Sequence, residues 1–342
     1  MKIKKIYWIC IDNMKLAIIT LTDQGEELAR KLSSIMDRDP TVLKVDLYHK
    51  NVKQILNKIF NQYDCILGIM ASGIMVRSIC PLMGDKIQDP SILIMDERSN
   101  HVISLLSGHL GGGNEFATKI ANILETDPVI TTSTDVNHKL GIDSLARKYY
   151  MEIQPISNIL GINSALVNNQ EVKLAVPKKF EYLFKDKLIK NSYHLVKSSQ
   201  VLEASFNDSI ITLTPKKLVV GVGSRKGVSM DQVLLAINEA CRFLAIPPER
   251  IDNLATAEPK KDEKGILDAA NRLGVPLEVV TLDSLQNFNH PDVTESSFVR
   301  KTFGVPGICE PAALYTAGGH AKLILRKSKF NKVTVAAAIS EV

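Results

Sequence analysis

Short apolar runs alternate with stretches of helical periodicity along most of the 342 residues. Residues 15–21 are an apolar run ending in Thr22 and Asp23, the pattern of a strand followed by a helix start, and Asp23 with Glu26 has the spacing of a capping box. A helix to about Met36 and a strand over 41–47 follow. Val52, Ile55, Leu56, Ile59, Phe60 and Tyr63 then recur at helical spacing and predict one apolar face. Further strands are predicted over 64–70, 91–95 and 129–131. Helices are expected from Ser72, which would cap its own helix, and after Gly111, Gly112 and Gly113. Strands alternating with helices predict a parallel, doubly wound sheet.

The pattern weakens over 136–215, with a helix over 142–150, a strand over 172–176 and a lysine-rich stretch over 178–190. Alternation resumes at 218–222, continues through a helical stripe of Val233, Ile237, Ala240, Cys241 and Leu244, and ends in β-rich runs over 321–325 and 333–339. The fold class predicted is α/β: two α/β domains with mainly parallel sheets, joined by a small middle α/β segment. The domains expected are 14–135 and 216–342, with 136–215 as middle domain or linker. Residues 1–13 are either an extension or precede a true start at Met14.

Composition sharpens this picture. Hydrophobic residues are 45% and charged residues 23%, ordinary for a globular chain, which excludes disordered, collagenous and disulfide-scaffold classes. The longest nearly apolar run, 65–76, is too short for a membrane span. The five cysteines form no CxxC pair, so neither a disulfide framework nor a structural zinc site is expected, and a reducing cytoplasm is. The net charge of +5 is uneven. Residues 14–135 hold twelve basic against fifteen acidic residues, while 136–215 and 216–342 are both net basic. No like-charge block suggests a nucleic-acid arm.

Open α/β sheets bind ligands at the carboxyl ends of their strands, so the candidates are sought there. The strand over 91–95 ends in Asp96, Glu97, Arg98 and, further on, His101, where a carboxylate could act as a general base or simply belong to a polar turn. Ser107, Gly108, His109, Leu110, Gly111, Gly112, Gly113, Asn114 and Glu115 form a glycine loop before a helix. Such a loop can bring N–H groups to an anion, with His109 beside them. Gly73 to Arg77 start another helix, and Thr131, Thr132, Ser133, Thr134 and Asp135 form a hydroxyl run that reads as polar substrate contacts or as a cap. In the C-terminal domain Gly221, Gly223, Ser224, Arg225, Lys226 and Gly227 make an anion loop whose spacing is wrong for a dinucleotide fingerprint. Glu258, Lys260, Lys261 and Glu263 read as a site or as a charged helix cap, and Gly307, Cys309, Glu310 and Pro311 as a rigid turn before a helix. Cys309 has no assigned base, and the histidines lack metal-helix spacing, so no protein-bound metal is expected.

Together these stretches resemble the CbiG family of cobalt-precorrin-5A hydrolases. In the first half the similarity runs through Gly73–Arg77, Asp85, Asp89–Pro90, Asp96–Glu97, Ser107–Glu115 and Thr131–Asp135. In the second it runs through Gly221–Gly227, Thr256–Glu258 with Lys260 and Glu263, Gly307–Ala312 and Gly318–Gly319. It covers Met14 to the end in the family's order, and the middle segment only in position and length. The resemblance implies a role in the anaerobic, early-cobalt route to vitamin B12. There the enzyme opens a δ-lactone joining the meso carbon C20 to the ring A acetate, and expels C20 with its methyl group as acetaldehyde to leave cobalt-precorrin-5B. The substrate disc is edged with carboxylates and needs several anion sites, and no cofactor is implied because cobalt arrives with the substrate. On this basis His109 or Glu97 is expected to activate water, with Asp96 and Glu310 as further catalytic candidates and N–H groups of Gly111–Gly113 stabilising the oxyanion. Substrate contacts are expected from Gly73, Arg77, Ser107, Gly108, Gly111–Gly113, Asn114, Thr132, Ser133, Asp135, Gly223, Ser224, Arg225, Lys226, Glu258, Lys260 and Gly307. A non-catalytic tetrapyrrole carrier and a nucleotide-dependent tetrapyrrole-modifying enzyme are the alternatives. Neither nucleic acid nor a membrane is expected as partner, and a homodimer and transient contacts with neighbouring pathway enzymes are left open.

Overall fold

A computed structural model describes residues 14–84, 88–198 and 200–341. The expectation for 1–13 lies outside the described residues. Contacts divide the chain into two units that meet at Thr214 and Pro215.

The first unit begins with a six-stranded sheet. Its elements in order are β1 (Met14–Thr20), α1 (Asp23–Met36), β2 (Val42–His49), α2 (Val52–Ile59), β3 (Cys65–Ile69), α3 (Ser72–Ile79), β4 (Ser91–Met95), β5 (His101–Leu106), α4 (Gly113–Leu124) and β6 (Asp127–Val129). The sheet order is β2-β1-β3-β4-β5-β6. Strands β1 to β4 are parallel; β3 is apolar and buried throughout, and β1 is buried except at Lys15, as central strands covered on both faces must be. Helix α1 turns Gly25, Ala29, Leu32 and Met36 onto one face of the sheet, and α2 turns Val52, Leu56 and Ile59 onto the other. Leu32 and Leu56 are fully buried, each worth about 1.5–3 kcal/mol.

The sheet is mainly parallel, as expected, but β5 runs antiparallel to β4, with Ile92 opposite Leu106 and Met95 opposite Val102. Only residues 96–100 join the two strands, and a parallel return needs about a dozen residues or more. The carboxylate of Asp96 shapes this turn by accepting from Arg98 N–H at 2.9 Å, His101 N–H at 3.0 Å and the Asn100 amide at 3.0 Å.

The rest of the first unit is α5 (Ser133–Val136), α6 (Ile142–Lys148), β7 (Met151–Gln154), α7 (Ile159–Val167), β8 (Lys173–Pro177), α8 (Lys187–Ser192), β9 (His194–Ser198), β10 (Glu203–Phe206) and β11 (Ser209–Pro215). A second sheet, ordered β7-β11-β10-β8-β9, packs on helix residues such as Leu145, Ile162 and Ile189.

The second unit contains β12 (Leu218–Ser224), α9 (Met230–Phe243), β13 (Asn253–Ala257), α10 (Lys264–Leu273), β14 (Leu277–Val280), α11 (Leu282–Gln286), α12 (Ser297–Phe303), α13 (Cys309–Ala317), β15 (Lys322–Phe330) and β16 (Val333–Ile339). Its sheet is ordered β14-β13-β12-β16-β15, with β12 to β14 parallel and β16 antiparallel to both its neighbours. Helix α13 lies so close to β12 that a Cβ on Gly221 would overlap the Cys309 carbonyl. Among the described residues no helix is long and apolar enough to cross a membrane.

Gly221→Ala is therefore expected to cost about 1–3 kcal/mol or more through overpacking against backbone. Chemical denaturation of the purified variant measures this, and an unchanged midpoint would contradict the packing described.

Candidate functional site

The register aligns His49, Thr20, Ile69 and Met95 across β2, β1, β3 and β4, so the segments after these residues share one edge. From β1 the chain crosses to β2, and from β3 it crosses the other way to β4, so the topology reverses between β1 and β3. Carboxyl ends at such a reversal are where open α/β sheets take ligands. Glu97 stands there half-buried and accepts a hydrogen bond of 2.7 Å from Thr22 Oγ1. The same hydroxyl caps α1 by accepting from Gly25 N–H at 3.1 Å, so Thr22 and not Asp23 is the cap. Gly73 and Arg77 of α3 lie at this edge too. The Arg77 guanidinium folds back to 3.3 Å from the position a Gly73 Cβ would take, and Ala71, not Ser72, holds the cap position. Asp96 is occupied by its turn. Burial would raise its pKa, but the N–H donors of His101 and Arg98 outweigh this and hold it low, so it suits structure better than proton transfer.

The reversal of β5 carries the glycine loop to the opposite edge of the sheet. There Ser91 Oγ donates to the Gly111 carbonyl at 2.5 Å and to the Ser107 carbonyl at 3.2 Å. His109 and Glu97, the two alternative bases, are thus separated by the length of β4, about 16 Å for five residues. The His109 ring is clamped between two carboxylates. Nε2 is 2.8 Å from Asp135 Oδ2 and 3.0 Å from Thr134 Oγ1, and Nδ1 is 3.1 Å from Asp143 Oδ2. Thr132 and the Asn114 amide donate to the same Asp135 oxygen at 2.8 and 3.1 Å. Asn163 donates to the other oxygen of Asp143 at 3.0 Å. Burial alone would lower the His109 pKa, but hydrogen bonding to and the charges of Asp135 and Asp143 outweigh it and raise it to about 10. Burial likewise works against ionised Asp135 and Asp143, and His109 holds both low. The result is an imidazolium, which has no lone pair with which to take a proton from water.

The loop itself is closed by its own backbone. Gly112 N–H donates to His109 O at 2.9 Å, Gly113 N–H to Ser107 O at 3.2 Å, and Asn114 N–H to Gly108 O at 3.0 Å. The N–H groups of Gly112 and Gly113 expected to stabilise an oxyanion are therefore taken. Gly112 has φ of 77°, with the Arg147 guanidinium packed where a Cβ would be, and Arg147 also donates to Leu110 O at 3.1 Å. Ser133 is exposed at the start of α5 beside this network.

In the second unit, Ser224 ends β12 and Arg225 and Lys226 follow it, and Glu258 and Lys260 follow β13, its parallel neighbour. Gly227 N–H donates to Glu263 at 2.8 Å and ties these two loops together. Arg225, Lys226 and Lys261 are exposed, whereas Ser224 Oγ is buried without a hydrogen-bond partner. Gly223 is needed for packing, because Thr334 occupies the place of its Cβ. Gly307 packs near Pro311 and the Thr294 carbonyl. Glu310 is 1% exposed and accepts from Thr294 N–H at 2.8 Å and Lys327 N–H at 2.7 Å. It is a clamp inside the fold and does not fit the catalytic part expected of it. Burial pushes the Cys309 thiol up to about 12, far from thiolate chemistry.

Sequence reasoning missed Asp143 and Arg147, which reach the glycine loop from α6, and His49, at the end of β2. The signal for His49 was its place at a strand's carboxyl end. Among the described residues, Asp23, Glu26 and His49 form a group whose donor atoms all lie within 4.8 Å of one another.

Residues 54–135 match the family described as "Cobalamin synthesis G N-terminal", and residues 218–338 the one described as "Cobalamin synthesis G C-terminus". The chain is 35% identical to the "Probable cobalt-precorrin-5A hydrolase" of Methanocaldococcus jannaschii, over 95% of this chain and 99% of that one. It is 26% identical to the cobalt-precorrin-5A hydrolase of Priestia megaterium, over 94% of each. A crystal structure of a cobalamin biosynthesis protein G homologue from Sulfolobus solfataricus superposes with a TM-score of 0.57 at 27% identity, covering 96% of this chain and 99% of that one.

The His109 clamp makes stability fall with alkalinity. Its native pKa of about 10 lies above the unfolded value of about 6.5. Its contribution is complete below about pH 6.5 and is lost as pH rises through 10. Urea unfolding between pH 7 and 10 should show this slope in the wild type and lose most of it in His109→Gln. That variant, which leaves the buried Asp143 without its cationic partner, should also lose about 3–5 kcal/mol at pH 7.

Proposed function

The chain belongs to the CbiG family of cobalamin-synthesis proteins, and on that premise we propose that it is a cobalt-precorrin-5A hydrolase working at the carboxyl edge of its first sheet. It acts in cobalamin biosynthesis on a cobalt tetrapyrrole, opening the lactone and releasing acetaldehyde. The observation that carries the choice of edge is Glu97, oriented by Thr22 at the point where the strand order reverses.

Glu97 takes a proton from water as the water attacks the lactone carbonyl carbon. Arg77 offers a charge-assisted contact to one of the carboxylates edging the substrate. The closed loop around His109 supports a structural role for Ser107–Asn114, Thr132 and Asp135, with the imidazolium holding the loop in place. In the second unit the exposed Arg225, Lys226 and Lys261, with Lys260 beside them, form a cationic cluster suited to carboxylates. Packing explains Gly221 and Gly223 without a nucleotide, which weakens the nucleotide-dependent reading. A carrier would share the anion sites but has no use for an oriented carboxylate. The cytoplasm is the proposed location.

Anoxic incubation with cobalt-precorrin-5A should release acetaldehyde in step with the appearance of cobalt-precorrin-5B. Glu97→Gln should lower kcat by about 10²–10⁴-fold. Binding without acetaldehyde release would favour the carrier.

A further inference from the structure

The base at Glu97 leaves the proton ledger of the reaction open on one side. Attack of water on the lactone carbonyl carbon hands one proton to the base, and the acyl C–O bond breaks. The alkoxide on C20 then collapses to the aldehyde, and the C–C bond holding C20 breaks with its electron pair left on the macrocycle. That electron pair takes up one proton, so the proton gained by the base is matched by one an acid must supply. We propose that His49 is that acid, the second proton-transferring residue of the edge; this rests on the reading of Glu97 above.

Four observations carry it. His49 pairs directly with Thr20 in the parallel β1–β2 register, at the same edge that Glu97 reaches through Thr22 two residues further on. The ring is anchored on its inner side, with Nδ1 2.9 Å from Thr20 Oγ1, a hydroxyl on a residue only 1% exposed. The Thr20 hydroxyl can in turn donate to the Tyr48 carbonyl at 3.4 Å, which leaves it an acceptor for Nδ1–H and makes Nε2 the nitrogen that gains and loses the proton. The side chain keeps 25% exposure, enough for a substrate to meet it. The charged groups facing the ring are Asp23, with Oδ1 3.7 Å from Nε2, and Glu26, with Oε2 3.9 Å from Nδ1, both on α1, with Arg30 paired to the other Glu26 oxygen. Unlike His109, whose two nitrogens are closed off at 2.8 and 3.1 Å, His49 makes only one short contact. An acid needs a ring nitrogen that a substrate can reach, and of the two histidines only His49 has one without a short contact.

The test is the pH profile of acetaldehyde release from cobalt-precorrin-5A by the full chain, for wild type, His49→Gln, His49→Asn and Glu97→Gln. His49→Asn can keep a donor towards Thr20, so a fold lost through packing is distinguished from a proton lost to the reaction. Both His49 variants should lower kcat by about 10²-fold or more with KM changed less than about threefold, and should lose the alkaline limb of the profile while keeping the acid limb. Glu97→Gln should lose the acid limb instead. If folded His49→Asn turns over within about twofold of wild type with both limbs intact, His49 is not the acid. If wild type itself releases no acetaldehyde, the hydrolase reading falls and takes this assignment with it.

Discussion

A connection of five residues cannot carry a chain back to begin a parallel strand. That constraint, applied to 96–100, reverses β5 and decides the plan of the first sheet. The loops that follow β1 to β4 lie on the carboxyl edge of those strands. The loop after β5, Ser107–Gly112, and the segment after β6, through Asp135, are delivered to the opposite edge. The two polar constellations, around Glu97 and around His109, consequently lie on opposite edges and carry different chemistry.

The chemistry of each follows from how its charges are satisfied. On the far edge, an imidazolium between Asp135 and Asp143, supported by Asn114, Thr132 and Asn163, ties the glycine loop to α5 and α6. A network so closely paired, buried at His109 and Asp143, is costly to break and specifies one arrangement, which is the work of a joint. On the near edge, Glu97 and His49 are each held by a single threonine, Thr22 and Thr20, which lie two residues apart at the end of one buried strand. Groups oriented on one side and open on the other can exchange protons with a ligand. The same β1 terminus thus aims both.

Much of this was legible beforehand. The strands at 15–21, 64–70 and 91–95 and the helical face from Val52 to Phe60 stand out because burial on both sheet faces demands continuous apolar runs and helices demand their period. The glycine loop was recognisable, and its glycines are indeed required by close approach, of Arg147 to Gly112 and of the Asn114 side chain to Gly108. What the approach serves was not legible, because Asp143 and Arg147 arrive from α6, more than thirty residues further along. The antiparallel β5 was within reach: the distance from Met95 to His101 is too short for a crossover, but the run His101–Leu106 lacks the alternation that marks a half-buried strand. Glu310 misled because a carboxylate beside a rigid turn resembles a catalytic group until its backbone partners, Thr294 and Lys327, are seen.

That substrate engages the carboxyl edge while the His109 joint holds the fold is tested by hydrogen exchange on Glu97→Gln with cobalt-precorrin-5A bound under anoxic conditions. Protection is predicted in 20–24, 49–51, 71–77 and 96–98, with 107–114 and 132–136 unchanged from the free protein. Protection gathered at 107–114 and 132–136, with none along the carboxyl edge, would contradict it.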